Sequence, residues 1–472
     1  MAWDFALPQV RKIPQTHPAG SRRNTCRIPQ KCPQDPAETA ATSLASVPMA
    51  DPDRLLPRAA LALVAARMDE GRVVVVNGAR QSGKTELLRM AHERLGGTLS
   101  TFDDQTLLDA ARRDPFGFVS GYPPPHLIDE VQRGGDAVLI AVKRQVDQIR
   151  RPGQFLLAGS TRFLSEPRLS ESLAGRARLV DLWPLSQGEI ESQHESFLVD
   201  CFREPDRVAE QHSAIESASR QQVFERVVVG GFPEAVLAGR TSARRSFFQS
   251  YFRTLTRRDV SELANIRLAA DLPRLARVLL ARTASELNIA SLASDLRMTE
   301  DTTHRYLALL ETVYLLHLLP AWSRNLSNRQ RRRPKLHAVD TGLVAAMQND
   351  SADRLARVDS ATAGGLLETF VVNELLKQLS WSDEPIEAYH WREDQGSEVD
   401  LVLERGDGAI VAVEVKAGVD VRTDDLRGLT FLRDRTGDDF LLGVIVHCGP
   451  KVVVLGPKLV GVPVNALWSP AA

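Results

Sequence analysis

From Asp51 to Ile190, short apolar runs alternate with stretches of helical length. The runs RVVVVNG (72–78), TLSTFDD (98–104), HLIDEV (126–131), QFLLAGS (154–160) and ARLVDLWPLS (177–186) predict strands. Strands separated by helix-length segments predict an α/β unit on a mostly parallel sheet. Residues 191–285 read as helical and contain GGFPEAV, where Pro233 suits the first turn of a helix. Phe247, Phe248, Tyr251, Phe252 and Leu255 recur at helical spacing, which predicts a packed core stripe rather than a ligand box. Residues 286–345 read as helix, tight turn, helix and strand. Thr299 is placed to cap the second helix, with Glu300 and Asp301 in its first turn. A basic loop and another strand, KLHAVD, complete the order of a winged helix. Beyond Ala346 an apolar helix, GGLLETFVVNELLKQL, precedes further strands. Residues 1–50 have no apolar periodicity and hold seven of the 26 prolines, which predicts a disordered tail. Met49 opens the first ordered stretch, so either the tail precedes the domain or Met49 is the start.

Bulk composition changes this picture little. A chain of 472 residues has room for about three domains of roughly 150 residues. Its net charge of -1 provides no overall field for nucleic acid, so any basic surface must be local. Cys26, Cys32, Cys201 and Cys448 are too scattered for a disulfide framework and lack the paired ligands of a zinc site. With no apolar h-region near the start and no apolar run approaching ~18 residues, a cytoplasmic protein with no membrane partner is expected.

The strongest chemical signal is GARQSGKT: Gly78, Ala79, Arg80, Gln81, Ser82, Gly83, Lys84 and Thr85. It fills every fixed position of G-x-x-x-x-G-K-[ST], between a predicted strand and a predicted helix. The glycines let backbone N–H groups turn toward phosphates, and the helix N-terminus adds positive potential. Lys84 would reach the β- and γ-phosphates of a nucleotide, and the Thr85 hydroxyl would ligate Mg²⁺. Further on, HLIDEVQR places Asp129 and Glu130 at a strand end, where Asp129 would hold Mg²⁺ through water and Glu130 would polarise the attacking water. LLAGST brings Ser160 or Thr161 toward the γ-phosphate. Arg176, in SLAGRARL, can offset phosphate charge, including across a subunit boundary of a homo-oligomer.

Together with GGFPEAV, KLHAVDTGL, GGLLETFVVNEL and EVDLVLE…VAVEVKAG, these motifs occur in one order. The chain resembles the prokaryotic AAA-type P-loop ATP-binding proteins that end in a domain of unknown function. The likeness spans roughly residues 55 to 460. It implies ATP and Mg²⁺ as cofactors and an α/β architecture throughout. An AAA-like P-loop core with a parallel sheet would occupy 51–195, a helical linker 196–285 and a winged-helix-like segment 286–345. A C-terminal α/β restriction-endonuclease-like domain, similar to PD-(D/E)xK nucleases, would occupy 346–472.

Two sites outside the core carry chemistry. The loop SRNLSNRQRRRPK holds Arg324, Arg329, Arg331, Arg332, Arg333 and Lys335 and no acid. It reads either as a wing touching DNA or RNA phosphates or as an interdomain packing surface. In EVDLVLERGDGAIVAVEVKAG, strand alternation puts Glu414 and Lys416 on one face, and the RGDG turn can bring Asp400 near Glu414. Two carboxylates suit a hard Mg²⁺ ion, with Lys416 offsetting phosphate charge. The resemblance adds Glu368, on the preceding helix, as a fourth member. The plain alternative is a hairpin with charges on its wet face. Two functions fit: an ATPase coupling nucleotide state to a nuclease-like domain, or a nucleotide-switched regulator that binds DNA or protein and has an inert C-terminal domain.

Overall fold

Four consecutive valines, Val73 to Val76, form most of the first strand of a computed structural model that describes residues 56–159, 173, 175–259, 271–393 and 396–470. Branched at Cβ, they favour the extended backbone, and each is buried because both faces of this strand are covered. The strand β1 (Val73–Gly78) joins β2 (Thr98–Thr101), β3 (His126–Asp129), β4 (Phe155–Gly159) and β5 (Ala177–Leu182) in one parallel sheet, order β2-β3-β4-β1-β5. Alternation sends Val73 and Val75 into one apolar core, and Val74 and Val76 into another on the opposite face. The helices α1 (Ala60–Glu70) and α2 (Lys84–Leu95) pack on the second face, and α3 (Gly135–Gln148) on the first.

Three strands stop earlier than the apolar runs predict, and after two of them a cap takes over. After Thr101 the chain turns so that Asp104 accepts Thr106 N–H at 2.7 Å and starts a helix. After Leu182, Ser186 and Glu189 form a reciprocal capping box. The disordered-tail expectation for residues 1–50, and the sensor expectation for Ser160 and Thr161, lie outside the described residues.

The aromatic stripe lies on α4 (Thr241–Thr254) and its extension, where Phe248, Tyr251, Phe252 and Leu255 are buried in the core as expected. Next come α5 (Leu272–Ala281), β6 (Ser285–Glu286), α6 (Ile289–Leu296), α7 (Glu300–Thr312), β7 (Leu316–Leu319) and β8 (Lys335–Ala338). The three strands pair antiparallel in the order β6-β8-β7. Thr299 caps α7 by accepting Thr302 N–H at 3.2 Å. The basic loop between β7 and β8 is partly helical, over Leu326–Arg331, rather than open.

The helix α8 (Ala363–Trp381) then leads into a six-stranded mixed sheet. Its strands are β9 (Ile386–Arg392), β10 (Glu398–Arg405), β11 (Ile410–Lys416), β12 (Phe440–His447), β13 (Val453–Gly456) and β14 (Leu459–Pro463), with α9 (Arg427–Thr436) before β12. The order is β13-β14-β12-β11-β10-β9. β9, β10 and β11 pair antiparallel, whereas β11, β12 and β14 pair parallel. One apolar core runs from Ala79 through Phe248, Leu310 and Phe370 to Val444 and Trp468, so the segments 196–285, 286–345 and 346–472 share it. No helix among the described residues is long and apolar enough to cross a membrane.

The junction between the first sheet and α8 contains a buried acid. Glu195 accepts from Ser186 Oγ at 2.5 Å and from Gly188 N–H at 3.1 Å. Burial, and next the charge of Glu374, push its carboxyl up to about 8. The folded protein therefore holds a proton there that the unfolded chain releases above the ordinary carboxyl range. Stability falls as pH rises through that window, and the penalty is complete above about pH 8. Glu195→Gln is expected to stabilise the protein relative to wild type at about pH 9 by on the order of a few kcal/mol, seen as a raised Tm, and to change little at about pH 5. Thermal melts at the two pH values check this, and an equal shift at both would count against it.

Candidate nucleotide site

The loop after β1 turns tightly because two of its glycines are geometrically required. A Cβ on Gly78 would lie 2.4 Å from the Leu182 carbonyl oxygen, and Gly83 sits at φ 95 at the N-cap of α2. Gln81 also adopts positive φ, 60. No side chain caps α2, so its first N–H groups and its dipole face the loop. Lys84 is buried and donates to its own loop, to Gly78 O at 3.0 Å and Ala79 O at 2.8 Å. Burial lowers its ammonium to about 8, against the opposing pull of Glu130 and Asp129. The Ser82 hydroxyl is buried with no hydrogen-bond partner, as is Asn77 Oδ1. A cradle of this shape with orphaned polar atoms fits a bound phosphate chain. A cleft lined by Arg80, Gln81, Glu234, Phe247, Ser250 and Tyr251 opens beside it.

Asp129 ends β3 in the same neighbourhood, and its Oδ2 accepts the Thr85 hydroxyl at 2.7 Å. This hydroxyl and carboxylate are hard oxygen donors that fit Mg²⁺. Glu130 follows in the left-handed region, φ 52, with its carboxylate bonded to Gln132. A non-glycine residue there is strained, a feature that collects at functional sites. Arg176 is not brought to this group. It pairs with Asp147 through Nε at 2.7 Å and Nη2 at 3.1 Å, next to Ala177. Ala177 registers with Val73 and Leu182 with Gly78, so Arg176 sits at the far edge of the sheet, roughly 17 Å along the strands from the loop.

Sequence reasoning missed the support of the loop. Arg58, buried before α1, donates to Ser82 O at 2.7 Å, Trp183 O at 2.7 Å and Glu189 Oε1 at 3.2 Å. The S-x-x-E capping signal at Ser186 and Glu189 was visible, but nothing local to Arg58 marks its partner more than a hundred residues away. Pro233 also reaches the loop, its Cγ 3.7 Å from where a Cβ on Gly83 would be.

The C-terminal group is assembled differently from the sequence expectation. Leu401 registers with Val413, and continuing the register sets Asp400 opposite Glu414. Both are buried, so the plain hairpin with a wet charged face does not describe them. Glu368 on α8 joins them through Lys335, whose Nζ lies 2.8 Å from Asp400 Oδ1 and 2.5 Å from Glu368 Oε1. Lys416 turns to Glu414 Oε1 at 2.7 Å. Burial alone would lower the Lys335 ammonium, but Asp400 and Glu368 outweigh it and hold it well above the usual range. Burial and then Asp400 raise the Glu414 carboxyl to about 8. Glu368, Asp400 and Glu414 were expected to hold a metal. Among the described residues no group of three or more His, Cys, Asp or Glu side chains is arranged to do so.

The basic loop is likewise largely committed inside the protein. Lys335 is 6% exposed. Arg329 pairs with Glu404 at 2.7 Å and donates to the Tyr389 hydroxyl at 2.8 Å. Arg324 pairs with Asp439 at 2.8 Å, and Arg332 bonds the Arg392 carbonyl. Burial between carboxylates removes Lys335 from the expected phosphate-contacting set, and Arg329 is similarly held. Arg331 and Arg333 are exposed.

A parallel sheet of this strand order, with the phosphate cradle between β1 and α2, defines an AAA-type P-loop protein. A family model described as an AAA domain matches residues 70–191, and two domains of unknown function, DUF8612 and DUF4143, match 220–354 and 363–467. The uncharacterized proteins Rv2008c of Mycobacterium tuberculosis and Mb2031c of Mycobacterium bovis are each 31% identical over 334 residues, covering 70% of this chain and 67% of theirs. The chain belongs to the same family as these mycobacterial proteins. Among solved structures, the Walker-type ATPase PABY2304 of Pyrococcus abyssi matches at 14% identity and TM-score 0.38, over 61% of this chain and 94% of its own. The RuvB Holliday junction branch migration motor of Thermotoga maritima matches at 19% and 0.27, over 59% and 89%.

The depressed Lys84 makes nucleotide binding pH-dependent. Phosphates favour the charged ammonium, so binding should raise its pKa from about 8 and take up a fraction of a proton near that pH. Affinity for ATP should fall as pH rises above about 8. Calorimetric titration with ATP in two buffers of different ionisation enthalpy checks this, and buffer-independent heats would reject it.

Proposed function

We propose that the chain is a Mg²⁺-dependent ATPase that couples its nucleotide state to the C-terminal nuclease-like domain. The observation carrying the ATPase reading is the buried Lys84, inside an uncapped helix N-terminus and a loop with an orphaned Ser82 hydroxyl. Lys84 would exchange its two loop carbonyls for the β- and γ-phosphate oxygens. Thr85 and Asp129 would hold Mg²⁺, which neutralises phosphate charge when bound. Glu130 would orient and polarise the attacking water once released from Gln132. Arg176, remote from its own loop, would act on the phosphates of a neighbouring copy in a homo-oligomer.

Two architectural readings belong with this. The order α5-β6-α6-α7-β7-β8, with sheet order β6-β8-β7, supports a winged helix. Helix α8, the antiparallel β9-β10-β11, then α9 and the parallel β12 support a PD-(D/E)xK-like fold. Asp400, Glu414 and Lys416 would be its chemical group, with Glu368 beside them. DNA or RNA would meet the exposed Arg331 and Arg333.

The second reading is a nucleotide-switched regulator that binds DNA or protein and has an inert C-terminal domain. One observation favours it: Lys335 sits between Glu368 and Asp400, where a cleaving site would keep a metal.

Lys84→Ala is expected to lower ATP turnover by at least on the order of a hundredfold, while Glu130→Gln keeps ATP binding and loses turnover similarly. Steady-state phosphate release and nucleotide titration measure the two effects. Turnover at the wild-type rate in Lys84→Ala would reject the ATPase reading, and in Glu130→Gln would remove that residue from its role. Strand cleavage with Mg²⁺ or Mn²⁺ separates the two readings. Coupling to a nuclease predicts nicking that Asp400→Ala abolishes, whereas the regulator predicts none from either protein.

A further inference from the structure

Between Glu234 and Asp259 the chain carries six arginines and no acid. Arg244 turns inward, donating to Ala235 O at 3.0 Å and Ala238 O at 3.2 Å. Arg245, Gln249 and Arg253 stand four residues apart and are exposed, so they form one row along the outer face of α4. Arg257 follows, also exposed, on the extension of that helix. Arg277 of α5 is exposed near the row, its guanidinium 5.5 Å from the centre of the Phe252 ring. Elsewhere, exposed arginines such as Arg207 and Arg357 pair with an acid, Glu204 and Asp359. Among the described residues, Arg245, Arg253, Arg257 and Arg277 have neither an ion pair nor a side-chain hydrogen bond.

Charges of one sign held together without acids repel one another, so such a face gains most from a polyanion that meets several of them at once. The helix rise of ~1.5 Å per residue sets Arg245 and Arg253 about 12 Å apart, the length of three or four nucleotides at ~3.4 Å each. A guanidinium holds phosphate through two parallel N–H donors. The residues between the arginines suit the same partner. Ser242, Ser246, Ser250 and Gln249 are exposed and offer hydroxyl and amide donors to phosphate oxygens. Among the described residues, no large apolar side chain of α4 or α5 is exposed. A helix lying on a membrane needs such residues on its outer face, and the centre of a protein interface is built around apolar or aromatic anchors. A phosphodiester backbone needs neither.

We propose that the outer face of α4, with Arg245, Arg253 and Arg257 and with Arg277 near them, binds the phosphodiester backbone of a nucleic acid without regard to base sequence. The surface belongs to another segment of the chain from Arg331 and Arg333, and it requires neither strand cleavage nor ATP turnover. Ser246 and Ser250 also line the cleft that opens beside Arg80 and Gln81 of the phosphate loop. A backbone seated on this face would border the nucleotide cleft.

The test uses the full chain without ATP and two fluorescein-labelled DNA probes of mixed sequence, a single strand of about 20 nucleotides and a duplex of about 20 base pairs. Anisotropy is followed over a range of NaCl concentrations. Wild type should bind at least one probe, with the logarithm of its affinity falling linearly with that of the salt concentration. Arg245→Gln with Arg253→Gln and Arg257→Gln should weaken that binding at least about tenfold at ~0.1 M salt, and flatten the slope by about 0.7–0.9 for each arginine that meets a phosphate. Lysine at the same three positions should keep most of the affinity and slope. These side chains are exposed, so the variants should melt with wild type. Should the triple variant melt early, the three single glutamine variants carry the same test, each with its own loss of slope. Binding of neither probe would overturn the proposal, as would equal binding by wild type and the glutamine variant, or unequal binding of a scrambled probe. Wild type that binds phosphatidylserine vesicles but neither probe would overturn it in favour of a membrane surface. Binding lost only in Arg331→Gln with Arg333→Gln would overturn it and leave the contact proposed for those two residues standing.

Discussion

The helix Ala363–Trp381 has almost no solvent face, so each polar residue on it must find a partner inside the protein. Those partners belong to every other part of the described fold. Glu374 accepts Gln187 N–H at 2.8 Å, and Lys377 donates to Leu185 O at 3.0 Å, which fastens the helix to the exit of the first sheet. Asn373 donates to Ala338 O at 2.9 Å and Val339 O at 3.1 Å, just after β8. Gln378 joins Leu198 N–H to Leu467 O. Leaving any of these groups unpaired costs about 1–3 kcal/mol, so the helix fixes its neighbours by demanding them. The apolar residues between them, Leu367, Val371, Val372 and Leu375, fill the shared core.

The two charged groups of the molecule are tuned by the same physics in opposite directions. Lys84 is desolvated with only loop carbonyls in hydrogen-bonding contact, so its ammonium is weakened and ready to gain from phosphate oxygens. Lys335 is desolvated against two carboxylates, so its charge is locked. The first arrangement favours arrival of an anion. The second favours keeping a cation already present. A buried pair of this kind is weak evidence for stability but strong evidence for a defined arrangement, since removing one partner strands the other.

The basic loop shows how position changes the meaning of a charge run. Six basic residues without an acid suggested an electrostatic surface for nucleic acid. Folding brings Glu404, Asp439, Glu368 and Asp400 from the C-terminal segment to three of those residues, Arg329, Arg324 and Lys335. Tyr389 adds a ring 4.6 Å below the Arg329 guanidinium. The loop is thus mainly a clasp between two parts of the chain, with Arg331 and Arg333 left facing outward.

The phosphate loop was legible because its requirements are local. Glycine freedom, a lysine and a hydroxyl at fixed offsets all lie within eight residues, and the valine run before them sets the strand. The aromatic stripe of residues 247–255, the Thr299 cap and the RGDG hairpin were legible for the same reason, since periodicity, caps and turns are short-range effects. The RGDG turn also let the sequence bring Asp400 near Glu414, and the strand register sets them opposite. It carried no sign that Arg58 would hold Ser82 and Glu189, that Arg176 would lie away from its own loop, or that Lys335 would enter the carboxylate group. Those outcomes depend on which surfaces meet across more than a hundred residues in the first case, and on sheet direction and the seating of α8 in the others. Charge pairing has no sequence period, so only the tertiary structure decides which cation meets which acid.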